Sequence, residues 1–295
     1  MNGILNILKP TDMTSFDVVG YLRSVLKIKK IGHTGTLDPG AVGVLPVCVG
    51  KATKAIEFMI DKDKVYRAEL TLGVSTDTQD ATGNIISESA VNVSNIDIED
   101  AVRSFVGKYS QVPPMYSALK VNGKKLYELA RSGIEIERKP REVHIYYINI
   151  LNIKGNKVIF DVGCSKGTYI RTLCSDIGDK LGCGGHMSFL VRTKVGIFDI
   201  DTALTLEEVS ELSKSNALES RLISIGEVFI NYKKTVISDR EKTRLINGGA
   251  LELKDMSYEE FENIQIYGEN GDFLALGEVK AYNNTLFIKS KKLFV

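Results

Sequence analysis

Asp38 is the residue whose setting most invites a chemical reading. It sits in the run Gly32-His33-Thr34-Gly35-Thr36-Leu37-Asp38-Pro39-Gly40-Ala41-Val42-Gly43-Val44-Leu45, which holds four glycines and one proline. So much glycine argues against a helix interior, and no period-2 alternation marks a strand. Such an unusual loop path costs backbone entropy and usually serves a purpose. Pro39 biases Asp38 toward extended or turn backbone angles. A carboxylate on a stiff turn can face a pocket as nucleophile or base. Asp-Pro pairs are also common in ordinary turns, where the Asp side chain bonds its own backbone, and local chemistry alone favours that structural turn. A phosphate-binding P-loop is excluded. Gly50-Lys51 is followed by Ala52 rather than Ser or Thr, and no glycine stands at position 45.

Other reactive side chains are sparse. Cys48, Cys164, Cys174 and Cys183 form no C-x-x-C pair, and only three histidines are present. Neither a zinc site nor a disulfide framework is expected, and the thiols read as reduced and partly buried. The pair Asp77 and Asp80 lies in a polar loop, Ser75 to Gly83, without the alternating ligands and final Glu of a calcium loop. The 295-residue chain has 43% hydrophobic and 25% charged residues, normal for a soluble globular protein. It has no apolar run long enough to span a membrane and no secretory signal pattern, so a cytoplasmic location is expected. The net charge of +1 is low for a nucleic-acid binder. Local clusters still allow one basic face: Lys120, Lys124 and Lys125, and Arg138, Lys139 and Arg141.

The elements that must carry these residues can be sketched. Residues 3–9 read as a strand ending at Lys9-Pro10. Thr14 and Ser15 cap a helix with Asp17 near its positive end and with Val18, Leu22 and Val25 on one face. Ala52 to Met59 reads as a short helix. Residues 64–72 alternate as a half-buried strand carrying Tyr66. Asp97 to Phe105 reads as a helix. Asn122-Gly123 is a hairpin signal, and Leu126 to Arg131 reads as a helix stopped by Gly133. Residues 141–153 and 157–163 read as strands joined at Gly155-Asn156. A helix opens at Gly167-Thr168-Tyr169-Ile170-Arg171 and runs to Gly182. Arg171 in its first turn opposes the helix dipole, which asks for a carboxylate partner, a phosphate or plain solvent. Residues 187–198 read as a strand and 205–212 as a helix. From Tyr232 onward, short β-like runs separated by Asn247-Gly248-Gly249, Gly268 to Gly271 and Asn283-Asn284 read as a small barrel-like β module.

The run His33 to Pro39, with Gly43-Val44-Leu45-Pro46 and Gly50-Lys51-Ala52-Thr53-Lys54, resembles the catalytic motif of the TruB family of tRNA pseudouridine synthases. Residues 40–42, Gly-Ala-Val, replace the more usual Leu-Ala-Thr. The likeness extends in order along the chain: Lys9-Pro10 with Met13-Thr14-Ser15, where Asp12 stands in place of a common glycine; Lys64 to Ala68; Gln111, Pro113-Pro114 and Tyr116-Ser117-Ala118; Gly167 to Arg171; and Leu190, Arg192-Thr193 and Gly196. At the last, Val191 replaces the first of two adjacent arginines, and Lys194 lies nearby.

The resemblance implies an α+β fold. Its core is a mixed, mainly antiparallel sheet flanked by helices, spanning residues 1–230 as the catalytic domain. A small PUA-like, β-rich RNA-binding domain would cover 231–295. It implies isomerisation of uridine 55 in the T-loop of tRNA, with base flipping, no cofactor and no metal. The partner would be the tRNA T-arm, and a monomer is expected. By the same resemblance Asp38 is the catalytic residue, Arg171 pairs with it and keeps it ionised, and Tyr66 stacks on the flipped base. His33 would hold or replace extruded nucleotides by stacking. Lys9, Lys120, Lys124 and Arg192 are expected phosphate contacts, with Tyr169 and Leu190 at the RNA site. Two other classes stand beside this one: a non-catalytic RNA-folding factor on the same scaffold, and a glycosidase, which would need a second carboxylate near Asp38.

Overall fold

A computed structural model describes residues 1–121, 123–253, 257–283 and 285–295. The chain opens with β1 (Gly3–Lys9), α1 (Ser15–Leu26), β2 (Ile31–His33) and β3 (Val42–Val49). A 3-10 turn over Gly50–Ala55 leads into the four-residue α2 (Ile56–Met59). Then come β4 (Lys64–Leu72), β5 (Val74–Thr76), β6 (Ile85–Glu88), α3 (Asn95–Arg103) and β7 (Gly107–Gln111). The short pair β8 (Lys120–Val121) and β9 (Lys124–Lys125) precedes α4 (Leu126–Arg131). Next are β10 (Arg141–Lys154), β11 (Lys157–Cys164), α5 (Ile170–Lys180), β12 (Gly185–Val195), β13 (Phe198–Asp199) and α6 (Leu206–Lys214). The last part holds β14 (Lys233–Ile237), α7 (Asp239–Ile246), β15 (Leu251–Glu252), β16 (Asn263–Gly268), β17 (Phe273–Tyr282) and β18 (Thr285–Leu293).

The main sheet has the order β1-β3-β12-β4-β11-β10-β7, with β2 also on β3 and β13 on β12. Its pairs are antiparallel except β12 with β3. The fold is α+β, as the sequence resemblance implies. One core packs Leu70, Phe160, Leu173 and Ile177 between sheet and helices. A second packs Val18, Val19 and Leu22 of α1 against Leu5, Ile7, Leu45 and Val47. Thr14 and Asp17 close a capping box at the start of α1, which satisfies two orphan backbone donors there. The five-stranded C-terminal sheet, ordered β14-β16-β17-β18-β15, contributes Leu276 and Phe294 to a third core shared with Ile4, Val44 and Phe229.

Several elements differ from the sequence expectation. Residues 42–45 are not loop but the start of β3, buried along nearly its whole length. A strand covered on both faces carries no alternation, so periodicity cannot reveal it. The segment read as loop from Ser75 begins inside β5. Among the described residues the C-terminal sheet is open rather than a closed barrel, and α7 interrupts its β texture. Asn122 and Asn284, parts of two turn signals, lie outside the described residues. The strands β8 and β9 flanking the first signal do pair antiparallel.

Gly43 is where β3 can meet β12. Its φ is +115°, and a Cβ there would collide with the Arg192 backbone. Gly43→Ala is therefore expected to destabilise the fold by about 2–3 kcal/mol. Gly35→Ala, whose new Cβ meets nothing nearer than 3.7 Å, is expected to change stability by less than about 1 kcal/mol. Thermal melts of the two variants beside wild type check this, and equal melting points would refute the close-approach argument.

Candidate active site

Asp38 lies between β2 and β3 on a turn closed by the Ala41 N–H donating to the Asp38 carbonyl at 3.1 Å. A turn does form at Asp-Pro, but the main-chain carbonyl closes it and not the side chain as the sequence alone suggests; the carboxylate is turned to Arg171 instead. Asp38 Oδ2 accepts from Arg171 Nη2 at 2.5 Å. The guanidinium is 8% exposed and the carboxylate 42%. The cation is thus buried behind an anion that opens to solvent. Arg171 Nη1 donates to Asp80 Oδ2 at 3.4 Å, so one guanidinium spans two carboxylates. This answers the helix-dipole problem at the first turn of α5: the cation is held by anions.

Asp80 was read from sequence only as part of a polar loop. Its partner lies 91 positions away, and no local pattern could signal that. Three donors fix its other oxygen: Thr78 Oγ1 at 2.7 Å, Thr82 N–H at 3.0 Å and Thr82 Oγ1 at 2.6 Å. The loop is docked in turn. Ala81 N–H donates to the Met187 carbonyl at 3.0 Å, Met187 N–H to Gln79 at 3.0 Å, and Thr172 Oγ1 to Gln79 Oε1 at 2.7 Å.

Two of the expected phosphate contacts are elsewhere. Lys9 is fully buried, and its ammonium donates to the carbonyls of Pro10 at 2.8 Å, Met13 at 2.5 Å and Pro39 at 3.1 Å. Burial pulls this ammonium down to about 8. Arg192 is 2% exposed and donates to the carbonyls of Val44 at 2.8 Å, Gly35 at 3.1 Å and Thr36 at 3.5 Å. Both cations support the Asp38 loop from beneath rather than facing solvent. Leu190 likewise sits in the core cluster with Leu37, where Tyr66 packs against it. It is part of the site's apolar floor, not an exposed RNA contact. Lys120 and Lys124 are exposed on β8 and β9.

Tyr66 stands directly across from Arg192 in the β4–β12 pairing. Burial pushes its phenol up, and the Arg192 guanidinium beside it only partly opposes this. The hydroxyl therefore stays protonated at neutral pH. His33 is pulled down by burial and then by Arg192, so its ring is neutral at pH 7. Tyr169 is held through its backbone by the Gln111 side chain, which accepts from its N–H at 2.9 Å and donates to its carbonyl at 3.0 Å. Burial raises its phenol, while Ser117 and Arg171 act the other way. Ser15, absent from the sequence reading of the site, accepts from the Leu37 N–H at 2.9 Å and so stitches α1 to the residue before Asp38. Among the described residues, no group of three His, Cys, Asp or Glu side chains is placed to hold a metal ion.

The constellation can fix a half-exposed nucleophile or base in one rotamer, near a protonated phenol. Comparison with known proteins agrees with that chemistry. The family model described as TruB family pseudouridylate synthase (N terminal domain) matches residues 23–170, and that of the tRNA pseudouridylate synthase B C-terminal domain matches 171–228. The tRNA pseudouridine synthase B of Clostridioides difficile (strain 630) is 49% identical, over 100% of both chains. That of Alkaliphilus oremlandii (strain OhILAs) is 50% identical over 99% of this chain and 98% of its own. A crystal structure of a Cbf5–Nop10–Gar1 complex matches with a TM-score of 0.75 at 27% identity, over 99% of this chain and 85% of that one. The structure of an H/ACA RNP bound to a substrate RNA containing 2′-deoxyuridine matches at 0.74 and 26%, with the same coverage. With this likeness along its whole length, the chain belongs to the TruB family of pseudouridine synthases.

Proposed function

We propose that this chain is a tRNA pseudouridine synthase that acts on the uridine at position 55 of the T-loop, with Asp38 as its essential residue. The observation that carries this reading is the Asp38–Arg171 pair at 2.5 Å, half open to solvent, near the half-buried Tyr66. The relatives' printed activity and the TruB motif support the substrate. The reaction breaks the N1–C1′ bond, turns the uracil and forms C5–C1′. The C5 hydrogen leaves as a proton, and N1 gains one. No oxidant, reductant or external group enters the balance.

Within that scheme Asp38 acts as nucleophile or base. Arg171 fixes its rotamer, and Asp80 fixes Arg171. Tyr66 stacks on the flipped base and offers its proton. Flipping costs a few kcal/mol, offset by stacking of about 1–3 kcal/mol per base. Exposed Lys120 and Lys124 suit the phosphate backbone, and the C-terminal sheet beyond residue 230 is a second RNA-binding module in this reading. The glycosidase alternative loses ground at Asp80. This second carboxylate does approach the site, but it is 14% exposed and both its oxygens are already bonded. Those bonds tie it to Arg171 and to its own loop.

Two variants test the scheme. Asp38→Asn is expected to cut tritium release from a T-arm transcript labelled at uridine C5 by on the order of 10²–10⁴-fold, with hairpin binding kept. Equal release by wild type and variant removes Asp38 from the chemistry. Asp80→Asn should lower kcat by roughly 10- to 100-fold through a loosened Arg171, leaving KM and the melting temperature nearly as they were. An unchanged kcat would mean that Arg171 needs only Asp38 to stay in place.

A further inference from the structure

Phe16 is the most exposed large apolar side chain among the described residues, at 73%. It stands in the first turn of α1, whose buried face is Ser15, Val18, Val19 and Leu22. Phe16 is on the other side and adds nothing to the core. A phenylalanine so exposed gives up most of its burial energy, and its location is not arbitrary. Its ring meets His33 edge to face, with centroids 5.2 Å apart and planes at 85°. Its neighbour Ser15 accepts from the N–H of Leu37, one residue before Asp38. Asp12 N–H donates to Pro39 at 3.0 Å, one residue after it. The turn that carries Phe16 is therefore tied to both sides of the catalytic aspartate. An aromatic ring is fixed beside the Asp38 loop with most of its surface bare.

We propose that Phe16 extends the stacking surface expected of His33 into an aromatic ledge, on whose bare Phe16 ring an unpaired nucleobase flanking the target uridine stacks. This rests on the reading of the chain as an RNA-modifying enzyme. The physical need is plain: extruding one base removes stacking from its neighbours, and a ring outside the cleft can restore it. Every base offers a π face, so such a ledge is tolerant of sequence and contributes affinity. The neutral imidazole beside it fits stacking rather than phosphate binding. The perpendicular contact uses only an edge of one ring and a face of the other, so area remains for a base.

The test uses the full chain and a T-arm hairpin carrying 2-aminopurine at either nucleotide flanking the target uridine. Wild type is expected to quench the probe at one of these positions on binding, and Phe16→Ala to lose the quench. Phe16→Ala should also raise Kd by about 5- to 150-fold with no change in melting temperature, because the side chain is exposed. Phe16→Trp should keep both affinity and quench, and Phe16→Leu should rescue neither. A Phe16→Ala variant with wild-type Kd and quench overturns the ledge. So does a Phe16→Leu variant with full affinity, which would assign Phe16 to packing of His33. Kd and quenching need no turnover. A wild type that binds and quenches but releases no tritium sinks the synthase reading alone, whereas turnover without Phe16 dependence sinks the ledge alone.

Discussion

Residues 34–41 cross the middle of the site without regular pairing, and their inward carbonyls must find donors away from water. Lys9 and Arg192 supply them. Each buried cation meets three carbonyl oxygens, and together they join β1, the turn before α1, the Asp38 loop and the start of β3 to β12. Burying an ion costs several kcal/mol unless its geometry is well satisfied. Here three of the six acceptors, Gly35, Thr36 and Pro39, belong to the very segment that has to be rigid, and the other three, Pro10, Met13 and Val44, lie in the segments it must be tied to. Neither group can leave without stranding buried carbonyls, which is itself costly. Loop and cations therefore hold one another in place, and the position of Asp38 follows from that.

A second consequence is electrostatic. Arg192 lies under the loop, opposite Tyr66 and close enough to His33 to disfavour its protonation. Arg171 lies behind Asp38. The two guanidiniums around Asp38 are buried, and the carboxylate they surround is the half-exposed group. A surface built only to hold a polyanion would gain nothing from that carboxylate. It makes sense where the bound nucleotide must react. Asp80 completes the balance by occupying the far branch of Arg171, which leaves the near branch no alternative to Asp38.

How much of this was legible in the sequence depends on distance along the chain. The helix start at Thr14 and Asp17, the alternation of β4 and the hairpin at Gly155-Asn156 are local and came through. Asp38 and Arg171 drew attention locally, by a glycine-rich loop and by a cation against the helix dipole, but their roles and that of Tyr66 came only through the family motif, since locally Asp38 reads as a turn and Tyr66 as a strand aromatic. Lys9 and Arg192 were misread because a long charged side chain is by default exposed. Only tertiary packing decides otherwise. β3 was missed because burial on both faces erases alternation. Asp80 was missed because its meaning lies in a contact with α5, 91 residues on.

The departures from the family pattern can now be sorted by what they touch. Asp12 stands where glycine is common, and its φ of +62° explains the preference. Asp tolerates that left-handed geometry better than most residues. Ala41 is buried in the core, and its N–H closes the turn at Asp38. Gly40 beside it is exposed. That segment is held by the Lys9 bond to Pro39 and by the turn itself, so its side chains can vary while Asp38 stays put. Val191 is different. It pairs with Val42 on one side and Arg67 on the other. Arg67 is committed to Asp161 at 2.8 and 2.9 Å, and Lys194 is 3.8 Å from Asp199. Neither neighbouring cation is free to replace a lost arginine. Val191 thus leaves the scaffold beneath, which depends on Arg192, untouched.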